Sequence, residues 1–251
     1  MRNIVVVILL LLTLSFSCFA QEIPQDSILI SETFTPEAEG LHQAIKTKFI
    51  EGSALFMSFI AIAFIIGLAF CLERIIYLNL SQVNCKKLRK DVDAALEKNN
   101  VNEALEITGN TRGPVAAIYH HALSKIDEDS EEIEKSVSTY GNVQIGLLEK
   151  NFSWISLFIS MAPSLGFLGT VIGMIQAFDK IQQYGDISPT IVAGGMKVAL
   201  ITTVGGLIVA LILQLFYNYI LTKEEAILNE MEDYSIPLMD SIKRYKSKAG
   251  K

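Results

Sequence analysis

VALITTVGGLIVALILQLFY, residues 198–217, runs for twenty positions without a charge. A helix of that length rises about 30 Å, the thickness of a bilayer's hydrocarbon core. The stretch is too long and too apolar for a strand, and in lipid only a helix or a closed barrel satisfies every backbone N–H and C=O. Two further blocks share this character. Residues 54–78 are apolar apart from Glu73 and Arg74 near the end, and residues 152–178 contain no Asp, Glu, Lys or Arg. The stretch around residues 198–217 extends to a span of 191–220, so the expected fold is an all-α membrane protein with three transmembrane helices and long helices extending into a cytoplasmic helical domain.

Composition agrees. Half the chain is apolar (51%) against 19% charged, and the apolar residues gather in blocks rather than spreading as in a soluble core. A net charge of −6 with no basic stripe interleaved with aromatics argues against nucleic-acid binding. Cys18, Cys71 and Cys85 form no CxxC and no paired spacing, so neither a disulfide framework nor a zinc site is expected. No metal or cofactor is expected elsewhere, since His120-His121 lacks partners at ligand spacing. The acidic run at residues 127–134 suits a helix start with acids at the positive end of its dipole.

Outward from the spans, residues 1–20 have a weakly basic start at Arg2, an apolar run over residues 4–16 and small-residue endings near Ala20, the pattern of a secretory signal peptide. An uncleaved anchor helix is the rival reading. Residues 21–53 are expected outside the membrane, ending in an amphipathic helix in which Leu41, Ala44, Ile45 and Phe49 share a face. That stretch is acid-rich, whereas Lys86, Lys87, Arg89 and Lys90 follow the first span, which places the N-terminus outside and residues 79–151 in the cytoplasm. Residues 79–151 read as a helical domain: a hairpin turning at Asn99-Asn100, a helix opened by Gly113-Pro114, and a long helix from Asp129 or Ser130 running unbroken into the second span. A short outer hairpin, 179–190, joins the second and third spans, and 221–251 is a lysine-bearing cytoplasmic tail.

The candidate site lies in the second and third spans. Pro163, Gly166, Thr170, Gly173 and Ala177 recur at alternating spacings of three and four, and Ala199, Thr203, Gly206, Ala210 and Gln214 do much the same. Small residues at helical spacing let two membrane helices approach closely, which accounts for most of both stripes. Thr170 and Thr203, with Thr202 adjacent, exceed that need. If both stripes face one cavity, the hydroxyls form a polar ring around its occupant. Neither span has a central Asp or Glu, the usual intramembrane proton carrier, so any titratable group must come from another chain. Lys197 sits roughly 120° from the Thr203 face, at 100° per residue, and reads as a boundary lysine that snorkels.

These residues carry a resemblance. Residues 162–174, APSLGFLGTVIGM, and 199–207, ALITTVGGL, followed by Tyr217-Asn218, closely resemble the second- and third-span signatures of the ExbB/TolQ/MotA proton-channel family, and Leu148-Glu149-Lys150-Asn151 fits its approach helix. Three spans with a large loop after the first match the ExbB/TolQ branch. The resemblance implies a pentamer in the bacterial inner membrane around two single-span ExbD/TolR-like partners, each bringing a membrane aspartate. Proton flow would then drive a TonB-like protein, with Thr170 and Thr203 as pore threonines. One departure is Val198, next to Lys197, where ExbB and TolQ proteins often carry a glutamate. Rival readings are a TolQ-like, gliding or flagellar-type stator, a passive scaffold, or an enzyme. For the last, no P-loop, nucleophile elbow or HExxH motif is present.

Overall fold

In the computed structural model, residues 53–185 and 189–250 are described, and they belong to one compact unit, Gly52–Lys251. The expected signal peptide, the expected amphipathic helix before Ser53 and residues 186–188 of the expected hairpin lie outside the described residues. Seven helices follow in the described part: α1 Ala54–Ser81, α2 Cys85–Glu97, α3 Val101–Asn110, α4 Pro114–Ser124, α5 Ser130–Leu148, α6 Phe152–Tyr184 and α7 Pro189–Ala249. Three of the helical stretches are long and apolar enough to cross a membrane. This is an all-α, multi-pass membrane protein.

The loop helices start where their caps dictate. The Asn84 side chain accepts from the Lys87 amide at 3.1 Å. Asn100 accepts from the Glu103 amide at 3.2 Å and donates to its carboxylate at 3.0 Å, fixing the start of α3. Between α2 and α3, Asn99 takes a left-handed φ of 56°, a conformation asparagine tolerates better than most side chains. Pro114 opens α4 at its first turn, where its missing N–H costs nothing. Gly113 before it has φ 108°, and a Cβ there would sit 2.5 Å from the Ser81 carbonyl oxygen, so the end of α1 and the start of α4 meet backbone to backbone.

One expectation needs correction. The approach helix does not run unbroken into the second span. It stops at Leu148, turns through residues 149–151 with Asn151 left-handed at φ 70°, and restarts at Phe152. The reason lies on α1. Arg74, 1% exposed, donates to the carbonyls of Leu147 (3.2 Å) and Leu148, orphaned where α5 ends. Its guanidinium also lies over the rings of Tyr77 and Phe152, 4.6 and 5.7 Å from their centroids, while Asn151 donates to Glu73 at 3.1 Å. The Glu73-Arg74 pair that interrupts the first span thus stitches α1 to the α5–α6 corner.

The tail extends the third span, in keeping with the expectation of long helices running on from the membrane. Residues 221–249 continue α7 without a break, giving one helix of 61 residues, roughly 90 Å long. Ile227, Met231, Leu238 and Ile242 are buried on one face of this extension. Tyr119 of α4 donates to the Tyr234 carbonyl at 2.9 Å, Ser241 donates to Asp93 at 2.7 Å, and Lys246 donates to the Glu128 carbonyl. Burial pushes the Tyr119 phenol above its usual range. Cys85 donates its thiol to Glu230 at 3.6 Å, and burial with that carboxylate beside it pushes the thiol up to about 12. His120-His121 also serves packing: His121 lies 2.8 Å from the Ser136 hydroxyl and stacks on Tyr140, joining α4 to α5.

Candidate functional site: the glycine and threonine seam

α6 and α7 form the most extensive helix pair of the fold, and α1 packs across both. The two small-residue stripes meet along this pair. A Cβ added to Gly206 would sit 2.5 Å from the Ala162 carbonyl oxygen, and one on Gly166 would sit 2.9 Å from the Thr202 carbonyl oxygen. Gly173 lies against Ala199, with 3.4 Å from its built Cβ to that of Ala199. The backbones are therefore in direct contact, as close-packed membrane helices require.

Within this seam the hydroxyls are chained. Thr170 donates to the Ala199 carbonyl at 2.9 Å, and Thr203 is hydrogen-bonded to Thr170. Thr202 donates to the same Ala199 carbonyl at 2.8 Å. Either hydroxyl can donate in the Thr170–Thr203 bond, and both also reach the Gly166 carbonyl at 3.4 Å; when Thr170 gives its proton to Ala199, the shared proton comes from Thr203. That leaves lone pairs on the Thr203 oxygen open to accept from another group. Thr170 and Thr203 are half-buried, whereas Thr202 is 0% exposed and packed on Gly169.

The structure brings Gly166, Thr170, Gly173 and Ala177 against Ala199, Thr203 and Gly206, while Pro163 and Ala210 are half-buried along the same helices. Gln214 leaves the seam and is exposed. Two members were missed by stripe reasoning. Gly169 faces Thr202, and a Cβ on Gly195 would sit 2.4 Å from that of Ala177. Gly195 lies one turn before Ala199, so extending the third-span stripe backwards by four would have found it. Lys197 is exposed near the start of α7.

The chain has relatives among known proteins. The model of the MotA/TolQ/ExbB proton channel family matches residues 110–233, from the end of α3 through most of α7. Over these residues the chain is similar to the MotA/TolQ/ExbB family. An ExbB homolog named for biopolymer transport in Methanothermobacter thermautotrophicus is 34% identical over 157 residues, 62% of this chain and 56% of the relative. An ExbB-like protein of Synechocystis is 26% identical over 217 residues, 84% of this chain and 80% of its own. The biopolymer transport protein exbB1 of Vibrio cholerae is 32% identical over 101 residues, 39% of this chain and 42% of its own. The match thus spans little more than half the length of the Methanothermobacter relative. The family is one of proton channels rather than of enzymes, and its match covers the whole hydroxyl seam.

Proposed function

We propose that the chain is the channel and stator subunit of a proton-motive-force-driven motor of the ExbB type. Copies of it, five by resemblance, surround the single spans of an ExbD/TolR-like partner and energise a TonB-like protein. The motor sits in the bacterial inner membrane with α2–α5 and the α7 extension in the cytoplasm. The observation that carries this reading is the hydroxyl chain from Thr203 through Thr170 to Ala199, set in two helices whose membrane portions hold no Asp or Glu. A protonated carboxylic acid on a partner helix can donate to the open lone pairs of the Thr203 oxygen, and its ionised form loses that bond. The seam thereby distinguishes the two protonation states without titrating itself. Thr170 and Thr203 face the partner, and buried Thr202 holds the Ala199 carbonyl in place. One charge crossing 100 mV releases about 2.3 kcal/mol, so a few protons suffice to drive a sizeable rearrangement.

Co-purification with a candidate one-span partner bearing a membrane aspartate, followed by native mass spectrometry, tests this assembly. The expected result is a ring of this chain retaining fewer partner copies than its own subunits. A ring that binds no such partner would contradict the proposal and favour a different stator partner or a passive scaffold.

A further inference from the structure

The buried face of α7 runs Leu213, Ile220, Glu224, Ile227, Met231, Leu238 and Ile242, at spacings built of threes and fours. Every member is apolar except Glu224, which is 5% exposed. Among the described residues it has no hydrogen bond and no ion pair. Arg74 on α1 donates to the Leu147 and Leu148 carbonyls, and Lys223, the residue before Glu224, reaches Gln82 at 3.4 Å and the Tyr219 ring at 6.0 Å. The charges that act on Glu224 are both negative: Glu149, at the corner between α5 and α6, and Glu225 on its own helix. The carboxylate oxygens still reach solvent, but the apolar neighbours on this face and the two further carboxylates favour the neutral acid over the charged form. Glu224 lies one turn past the end of the third span and roughly 32 Å along α7 from Thr203, at the opposite end of the span from residues 179–190.

We propose that Glu224 is a proton-binding group at the cytoplasmic mouth of the channel, alternating between acid and carboxylate as protons leave the membrane passage. The step is a proton transfer alone. The carboxylate takes one proton from water at the end of the passage, forming an O–H bond, and gives one to water on the cytoplasmic side. This inference rests on the channel reading above. Burial, then Glu149, then Glu225 raise the group's pKa above the usual carboxylate range. The sign follows: the folded state binds the proton more tightly than the unfolded chain. The stability this contributes is full below the ordinary glutamate range and is lost as pH rises through the raised value.

Two readouts test it. The first is pH-difference infrared spectroscopy of the full-length chain in nanodiscs. Wild type is expected to keep a carboxylic-acid carbonyl band above the ordinary carboxylate range, Glu224→Gln to lose it, and Glu149→Gln to move its midpoint to lower pH. The second is proton flux through the complex with its partner in proteoliposomes. Glu224→Gln is expected to slow flux by about tenfold or more, on the scale of losing a positioned proton carrier, with Glu224→Asp recovering much of it. Absence of the band in wild type, an unmoved midpoint in Glu149→Gln, or full flux in Glu224→Gln would each overturn the proposal. If the wild-type complex carries no flux, the channel reading fails and the relay falls with it. A normal wild-type flux that Glu224→Gln leaves unchanged removes the relay alone.

Discussion

Replacing Thr170 and Thr203 together by valine is expected to leave an assembled complex whose proton flux falls by on the order of a hundredfold, the scale of losing a positioned proton-transfer partner. Valine keeps the branched shape, so the helices still meet over Gly166, Gly173 and Gly206. The Ala199 carbonyl keeps its bond from Thr202, so no backbone group is orphaned there. Interhelical hydrogen bonds in membranes average about 0.6 kcal/mol, too little for their loss to dismantle the most extensive helix pair of the fold. What the double variant lacks is the acceptor on Thr203 and the hydroxyl that orients it. Flux through reconstituted complex and subunit counts by native mass spectrometry are read on the same preparation. Full flux would remove the threonines from the pathway, and a dissociated complex would make them packing residues.

Gly206→Ala is expected to have the opposite signature, a loss of stability before any question of transport arises. The added Cβ would lie 2.5 Å from the Ala162 carbonyl oxygen and 3.2 Å from the Gly166 Cα. Both neighbours are main chain and cannot rotate away, so α6 and α7 must separate. Overpacking of this kind costs about 1–3 kcal/mol. Gly194→Ala is the matched control. Nothing lies within 4 Å of a Cβ at Gly194, and alanine in a helix is favoured over glycine by up to about 1 kcal/mol. Thermal aggregation midpoints of the purified proteins should therefore fall for Gly206→Ala and hold or rise for Gly194→Ala. Equal midpoints would contradict the backbone contact at the seam.

Much of this architecture was legible in the residues alone because membrane constraints are local. Twenty uncharged positions force a helix, and alternating small residues force a close neighbour. The stripes on α6 and α7 could be paired on paper, and they meet with Gly166, Thr170, Gly173 and Ala177 on one side and Ala199, Thr203 and Gly206 on the other. What escaped depends on contacts distant in sequence. The break at residues 149–151 is held by Arg74, more than seventy residues upstream, whose capture of two carbonyls no window around Asn151 reveals. The α7 extension was expected as a long helix, but the partner of its apolar face was not. Ile227, Met231, Leu238 and Ile242 already carried helical spacing, but only the packing of α4 and its Tyr119 against Tyr234 makes that face a core. Glu224 reads as an ordinary exposed acid in an amphipathic helix until the buried face is known. The hydroxyl chain falls between these cases, since its residues were evident but the Thr170 bond to Ala199 across the seam depends on how α6 and α7 pair.

The most direct measurement is proton flux into proteoliposomes containing the full-length chain with its aspartate-bearing partner, under a potassium diffusion potential and a pH dye inside the vesicles. A potential-dependent pH change, absent from vesicles holding this chain alone and from those whose partner aspartate is replaced by asparagine, is the expected result. A fully assembled complex that passes no protons under that potential would contradict the assignment of the seam as part of a proton channel.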